Sequence, residues 1–199
     1  MIDPYSPPGK EVIATLEPFA GLTLDKIQVV RTLQQAEAAV QELMRAGSVG
    51  FDTESKPTFH KGQKSEGPHV LQFSTLERAF IFQTHFAETI PAIIALLKSP
   101  ALTKIGFGLK GDLAQIAQRF GLRPASLVDL DRSFQALGYR NAVGAKTAIA
   151  ILFDRKFPKS KSVTMSNWSL ADLTDNQLLY AANDAYAAIR VHHGLQAAS

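Results

Sequence analysis

Hydrophobic positions along the chain follow two periodicities. Ser48 to Ser55, His69 to Thr75 and Ala79 to Thr84 are short runs rich in apolar, β-branched and aromatic residues, with the length of strands. Only Leu76-Glu77-Arg78 separate the second run from the third, the spacing of a hairpin with a three-residue loop, so the three runs predict an antiparallel meander. Ahead of it, Ile27 to Thr32 can form a short edge strand, and Leu33, Ala36, Val40 and Leu43 recur at helical spacing up to a stop at Gly47. After it, Ile90, Ile93, Ile94 and Leu97 mark one helix face and Lys104 to Gly108 a short strand. Leu113, Ile116, Ala117 and Phe120 mark a second helix face, and Ser126 to Leu130 the last strand. Helices are predicted near Ala145 to Phe153 and from Thr174 almost to the C-terminus, where Thr174 and Gln177 are spaced as a capping box. Hairpins join antiparallel neighbours and helical crossovers join parallel ones. The pattern therefore predicts an α/β fold with a five-stranded mixed sheet, three antiparallel strands then two parallel, flanked by helices.

At 199 residues and 46% hydrophobic, the chain has material for one self-sufficient core, read as a single domain over residues 20–199. Residues 1–19 hold four prolines and are read as an extended arm, not as a secretory signal. The longest apolar run, Ile90 to Leu97, contains Pro91 and falls far short of the ~20 residues that cross a bilayer. With no cysteine, disulfides, thiolate metal sites and cysteine nucleophiles are excluded, and any bound metal must use oxygen or imidazole; a cytoplasmic location is expected. His192 and His193 are adjacent on a helix and the other histidines lack ligand spacing, which sets zinc aside.

Three segments carry candidate chemistry. Asp52 and Glu54 sit two apart on a predicted strand and share a face, a like-charge juxtaposition that a hard divalent cation would relieve and that an exposed strand end would also tolerate. Tyr180 and Asp184, four apart on the last helix, stack on one face beside the apolar stripe of Leu178, Ala182, Ala185 and Ile189. Asp112 stands at a strand-to-helix turn, where the helix dipole favours an acid. The same turn spells G-x-G-x-x-G through Gly106, Gly108 and Gly111, with Asp129 closing a later strand, as in a dinucleotide-binding fingerprint. That fingerprint normally opens a βαβαβ series, and here a largely helical stretch follows instead.

Taken together, Gly50-Phe51-Asp52-Thr53-Glu54, Gly106-Phe107-Gly108-Leu109-Lys110-Gly111-Asp112-Leu113 and Tyr180-Ala181-Ala182-Asn183-Asp184-Ala185 resemble the three motifs of the DEDD superfamily of 3′–5′ exonucleases, tyrosine-bearing branch. Ser166-Asn167-Trp168 followed by Leu173, Gln177 and Leu178 is similar to the stretch ahead of the third motif in ribonuclease D and the Werner-type exonuclease domain, so the resemblance spans about Val29 to Val191. Ser55-Lys56-Pro57 departs from the pattern, since many relatives carry a bulkier or hydroxyl residue there and no lysine.

The resemblance implies a ribonuclease H-like fold and a metal-dependent 3′–5′ exonuclease acting on DNA or RNA 3′ ends and releasing nucleoside 5′-monophosphates. Asp52, Glu54, Asp112 and Asp184 would hold two divalent ions, Mg²⁺ or Mn²⁺, with Asp52 between them, and Tyr180 would position the attacking water. Glu54 would also contact the terminal sugar hydroxyl. Setting four acids aside as ligands leaves 14 acidic against 21 basic residues, a surface better suited to phosphate than the net +3 of the whole chain. Lys56, His60, Lys61 and Lys64 form one basic cluster and Arg155, Lys156, Lys159 and Lys161 a second. Lys56, Lys161, Phe107 and Trp168 are the candidate substrate contacts, although a single tryptophan in apolar surroundings is more often core. A catalytically inactive nucleic-acid-binding module of the same fold, and a dinucleotide-dependent oxidoreductase, are the alternative readings.

Overall fold

The computed structural model describes residues 6–58 and 65–197. Its strands are β1 (Ile27–Val30), β2 (Ser48–Glu54), β3 (Val70–Ser74), β4 (Ala79–Gln83), β5 (Thr103–Gly106) and β6 (Leu127–Asp129), in one mixed sheet of spatial order β1-β4-β3-β2-β5-β6. The meander β2-β3-β4 is antiparallel, and β5 and β6 extend it in parallel beyond β2. Six strands replace the predicted five because Ile27–Val30 is recruited to the free edge of β4, parallel to it, with Ile27 opposite Ala79 and Val30 opposite Phe82. That pairing satisfies an otherwise bare strand edge and buries Val30 completely.

The helices are α1 (Lys10–Thr15), α2 (Leu33–Ala46), α3 (Ile90–Lys98), α4 (Lys110–Phe120), α5 (Leu130–Ala136), α6 (Ala145–Phe153), α7 (Lys161–Thr164) and α8 (Asp175–Ala197). Two cores result. Phe51, Leu71, Phe73, Phe80 and Phe82 pack under α2, α3 and α4, while Val70, Ala79, Ile81 and Ile105 pack under α6 and α8. Every residue of β3 and β4 is buried because helices cover both faces, which explains their near-continuous apolar runs. Helix α2 starts in a capping box between Thr32 and Gln35 and ends at Gly47, whose φ of 69° is the left-handed conformation a helix stop requires. Helix α8 starts in the expected box: Gln177 N–H donates to Thr174 Oγ1 at 3.3 Å and Thr174 N–H to Gln177 Oε1 at 3.0 Å.

The contact between α8 and β2 fixes the geometry of the site. Alanines 181, 182, 185, 187 and 188 let the helix lie on the sheet with little side-chain bulk between them, and Gly50 completes the fit. A Cβ at Gly50 would stand 1.7 Å from the carbonyl oxygen of Ala185, so strand and helix meet backbone to backbone.

Two local expectations change. The β3–β4 loop is tighter than three residues, because Thr75 N–H donates to Arg78 O at 3.0 Å and the Thr75 hydroxyl accepts from the N–H groups of Glu77 and Arg78. The N-terminal arm is not extended throughout: the proline-free stretch between Pro8 and Pro18 coils into α1. Beyond it, Lys156 N–H donates to Glu17 O at 2.8 Å and Phe19 N–H to Lys156 O at 2.9 Å, a short parallel clasp centred on Pro18 and Lys156. Phe19 is buried against Phe153, Phe157 and Tyr186, with the Arg190 guanidinium over the Phe19, Phe153 and Tyr186 rings. Asn183 of α8 then grips Leu22, accepting from its N–H at 2.6 Å and donating to its carbonyl at 3.2 Å. Among the described residues no helix is long and apolar enough to cross a membrane.

Candidate active site

Side chains alternate along β2, so Val49 and Phe51 enter one core while Gly50, Asp52 and Glu54 face the α8 side. On α8, Tyr180 and Asp184 lie one turn apart, and close packing at Gly50 brings that turn to the end of β2. Oxygens of Asp52, Glu54 and Asp184 come within 4.8 Å of one another. Asp112 arrives separately, on the first turn of α4 after β5, and accepts a hydrogen bond from the Thr53 hydroxyl at 2.5 Å. The neighbouring N–H of Thr53 donates to Asp52 Oδ1 at 2.9 Å, so one residue ties two of the acids together.

Burial shifts all four carboxyls upward, and the neighbouring acids add to it at Asp52 and Glu54. Burial, followed by the charges of Asp112 and Asp184, holds Asp52 well above the usual carboxylate range. Burial and then the charge of Asp184 push Glu54 up to about 8. Asp112 is raised by burial against the opposing bond from Thr53, and Asp184 by burial against the charge of Lys159. The donor set is all carboxylate oxygen, the chemistry of Mg²⁺ and Mn²⁺, and three of its members bring oxygens within 4.8 Å of one another. The residues therefore fit a divalent cation.

Lys159 reaches this cluster, with Nζ 2.7 Å from Asp184 Oδ2 and 5.2 Å from the centre of the Tyr180 ring. Burial opposes its charge, but the Asp184 carboxylate outweighs burial and raises its pKa. Burial and the Asp184 charge push the Tyr180 phenol up to about 12, and its oxygen lies 2.8 Å from Thr164 Oγ1. A cleft of about 700 Å³ between residues 19–22, segment 157–163 and α8 shares Lys159 and Tyr180 with the acid cluster.

The candidate substrate contacts separate. Trp168 is fully buried, so it offers no face for a base to stack on; it packs on Tyr180 at 5.8 Å between ring centres, and its Nε1 donates to Thr164 O. Its part is to back the tyrosine. Phe107 is half-buried against the α8-side core. Lys56 is exposed just beyond Glu54, while His60, Lys61 and Lys64 lie outside the described residues. Within the second basic cluster, Lys161 is exposed at the start of α7, Lys156 Nζ is bonded to Ala14 O, Arg155 turns to the carbonyl of Asp154, and Lys159 alone pairs with a site acid. Of these four the sequence singled out Lys161, whereas it is Lys159 that the structure sets against a site acid.

The glycine fingerprint has a different use here. The N–H groups of Gly108 and Leu109, which in a dinucleotide site would face a pyrophosphate, donate to the Asp129 carboxylate at 2.9 and 3.1 Å. The loop is occupied by its own chain and serves to aim α4 and Asp112 at the site.

A six-stranded mixed sheet with an antiparallel meander, helices on both faces and carboxylates converging from strand, helix start and final helix builds an acid-lined site of the kind that holds divalent metal. The sequence profile described as 3′–5′ exonuclease matches residues 27–198, and the chain belongs to that family. It is 28% identical over 149 residues to the bifunctional 3′–5′ exonuclease/ATP-dependent helicase WRN of Mus musculus, covering 74% of this chain and 11% of the relative. A 3′–5′ exonuclease of Arabidopsis thaliana is 27% identical over 150 residues, covering 74% of this chain and 52% of the relative, so the chain spans about half or less of these proteins. In fold it is similar to Escherichia coli RNase D, with a TM-score of 0.74 at 19% identity over 86% of this chain and 44% of that one. Trypanosoma brucei RNase D in complex with RNA U12 superposes with a TM-score of 0.74 at 19% identity, covering 93% and 64%.

Proposed function

We propose that this chain hydrolyses the terminal phosphodiester at the 3′ end of DNA or RNA and releases nucleoside 5′-monophosphates. The observation that carries this reading is the convergence of Asp52, Glu54 and Asp184 oxygens within 4.8 Å, with Tyr180 one turn from Asp184 on α8. Asp52, Glu54, Asp112 and Asp184 are the residues that would hold Mg²⁺ or Mn²⁺. When bound, such ions would supply Lewis acidity toward the scissile phosphate and the attacking water. A phenol pushed up to about 12 stays protonated at neutral pH, so Tyr180 acts by hydrogen bond, orienting the attacking water and not abstracting its proton. Trp168 behind its ring and Thr164 at its hydroxyl hold that orientation. The RNA bound to the T. brucei neighbour supports a nucleic-acid strand as substrate.

The test is digestion of 5′-labelled single-stranded RNA, single-stranded DNA and recessed duplex with Mg²⁺, Mn²⁺ or EDTA, beside Asp52→Ala. The expected result is a ladder shortening one nucleotide at a time from the 3′ end, lost with EDTA and in the variant. Intact substrate in every lane, with folded protein that still binds the strand, would replace this reading with that of a binding module.

A further inference from the structure

Lys159 pairs with a carboxylate that a divalent ion would also need. Its ammonium stands 2.7 Å from Asp184 Oδ2, the buried oxygen of the acid trio, and no other ion pair among the described residues involves a site carboxylate. The residue comes from neither helix nor strand: segment 157–160 is irregular, anchored at one end by buried Phe157 and by the clasp of Lys156 to Glu17 and Phe19, and at the other by α7. The contacts that anchor the segment are made by Lys156, Phe157 and α7, so the four-methylene side chain of Lys159 can turn without breaking them. The cleft of about 700 Å³ that Lys159 lines gives the displaced chain somewhere to go.

Resting on the exonuclease reading, we propose that Lys159 is an exchangeable counter-cation: it neutralises Asp184 while the acid cluster lacks metal, yields that oxygen to the incoming ion, and then pairs with a phosphate of the bound strand. A cluster of crowded carboxylates needs positive charge at every stage, and a tethered ammonium supplies it without the loss of translational freedom that a free ion incurs. Once an ion claims Asp184, the freed ammonium remains beside Tyr180, at the rim where a polyanion must lie to reach the acids. Lysine is suited to this exchange because its charge is compact and its stem flexible.

The experiment titrates Mn²⁺ calorimetrically into the wild-type chain, Lys159→Met, Lys159→Arg and the control Arg155→Met, then measures binding of a labelled single strand in Ca²⁺ across a range of salt. Removing the competitor should tighten Mn²⁺ binding by Lys159→Met about three- to tenfold, with Arg155→Met unchanged and Lys159→Arg, which keeps the competing charge, not tightened. In the second arm Lys159→Met should flatten the dependence of log affinity on log salt by about 0.7, the loss of one phosphate contact on a single strand. Equal or weaker Mn²⁺ affinity in Lys159→Met overturns the exchange, and an unchanged salt slope overturns the transfer to phosphate. Failure of the wild-type chain itself to take up Mn²⁺ would instead refute the exonuclease reading on which the exchange rests.

Discussion

Replacing Gly50 by alanine tests whether the spacing of the site is set by the backbone contact between β2 and α8. The added Cβ would lie 1.7 Å from Ala185 O, 2.7 Å from Ala185 C and 3.1 Å from Ile189 N, all helix backbone atoms that no rotamer change can move. A carbon approaches a carbonyl oxygen to about 3.3 Å, so α8 must retreat by roughly 1.5 Å or β2 must bend away. Overpacking of this kind costs about 1–3 kcal/mol, a tolerable part of the stability of a domain. The chemistry should suffer more. Asp184 and Tyr180 ride on α8 whereas Asp52 and Glu54 ride on β2, so the retreat falls directly on distances that now bring three carboxylates within 4.8 Å. Misplacement of about 1 Å in such a constellation reduces turnover about 100-fold. Urea denaturation and circular dichroism would verify folding, calorimetry would follow Mn²⁺ binding, and single-turnover digestion would give the rate. A folded Gly50→Ala protein with wild-type metal affinity and rate would refute the argument that this contact sets the site.

Two further outcomes follow from the electrostatics and the clasp. In the metal-free chain Glu54 is pushed up from 4.5 to about 8, so between those values the folded state holds a proton that the unfolded state has released; its contribution to stability is full at the acid end and disappears as pH rises through 8. Mn²⁺ must displace that proton, so apparent affinity should climb from pH 6 to 9, and binding heats measured in two buffers should differ in proportion to their ionisation enthalpies; heats independent of buffer would contradict the shift. Asn183→Ala removes the side chain that holds both Leu22 backbone groups and the carbonyl of Leu179, at a cost of about 1–3 kcal/mol. Its urea midpoint should fall and protease cleavage near Gly21 accelerate, and an unchanged midpoint would show that the clasp contributes nothing.

Elements whose periodicity is dictated by burial were legible from the chain alone. The two-residue repeat puts Asp52 and Glu54 on the face of Gly50, and the four-residue step puts Tyr180 under Asp184, because both facts depend only on local backbone geometry. The edge strand at Ile27 was visible as a segment, but its membership of the sheet depends on β4 offering a free edge, a long-range pairing that no local pattern encodes. The choice of Lys159 over Lys161 was hidden for a related reason. Segment 157–160 follows no regular period, so the direction of each side chain is set by the anchors at Phe157 and Lys156 and, through them, by residues 17–19, well over a hundred positions earlier. Trp168 illustrates the converse: its large apolar ring belongs inside, as the composition rule weighed against base stacking had it.

The clasp separates two definitions of where this unit begins. The family's sequence profile begins at residue 27, but packing begins earlier, at Ala14, whose carbonyl accepts from Lys156 Nζ just ahead of the segment that carries Lys159. The thirteen positions from Ala14 to Lys26 thus belong to the domain by contact although they lie outside the profile. Residues on such a margin are free to diverge without touching an acid of the site, yet by leaning on Lys156 and Asn183 they bear on how the site is walled. A truncation drawn at the profile's first residue would therefore take away part of the wall while leaving every acid in place.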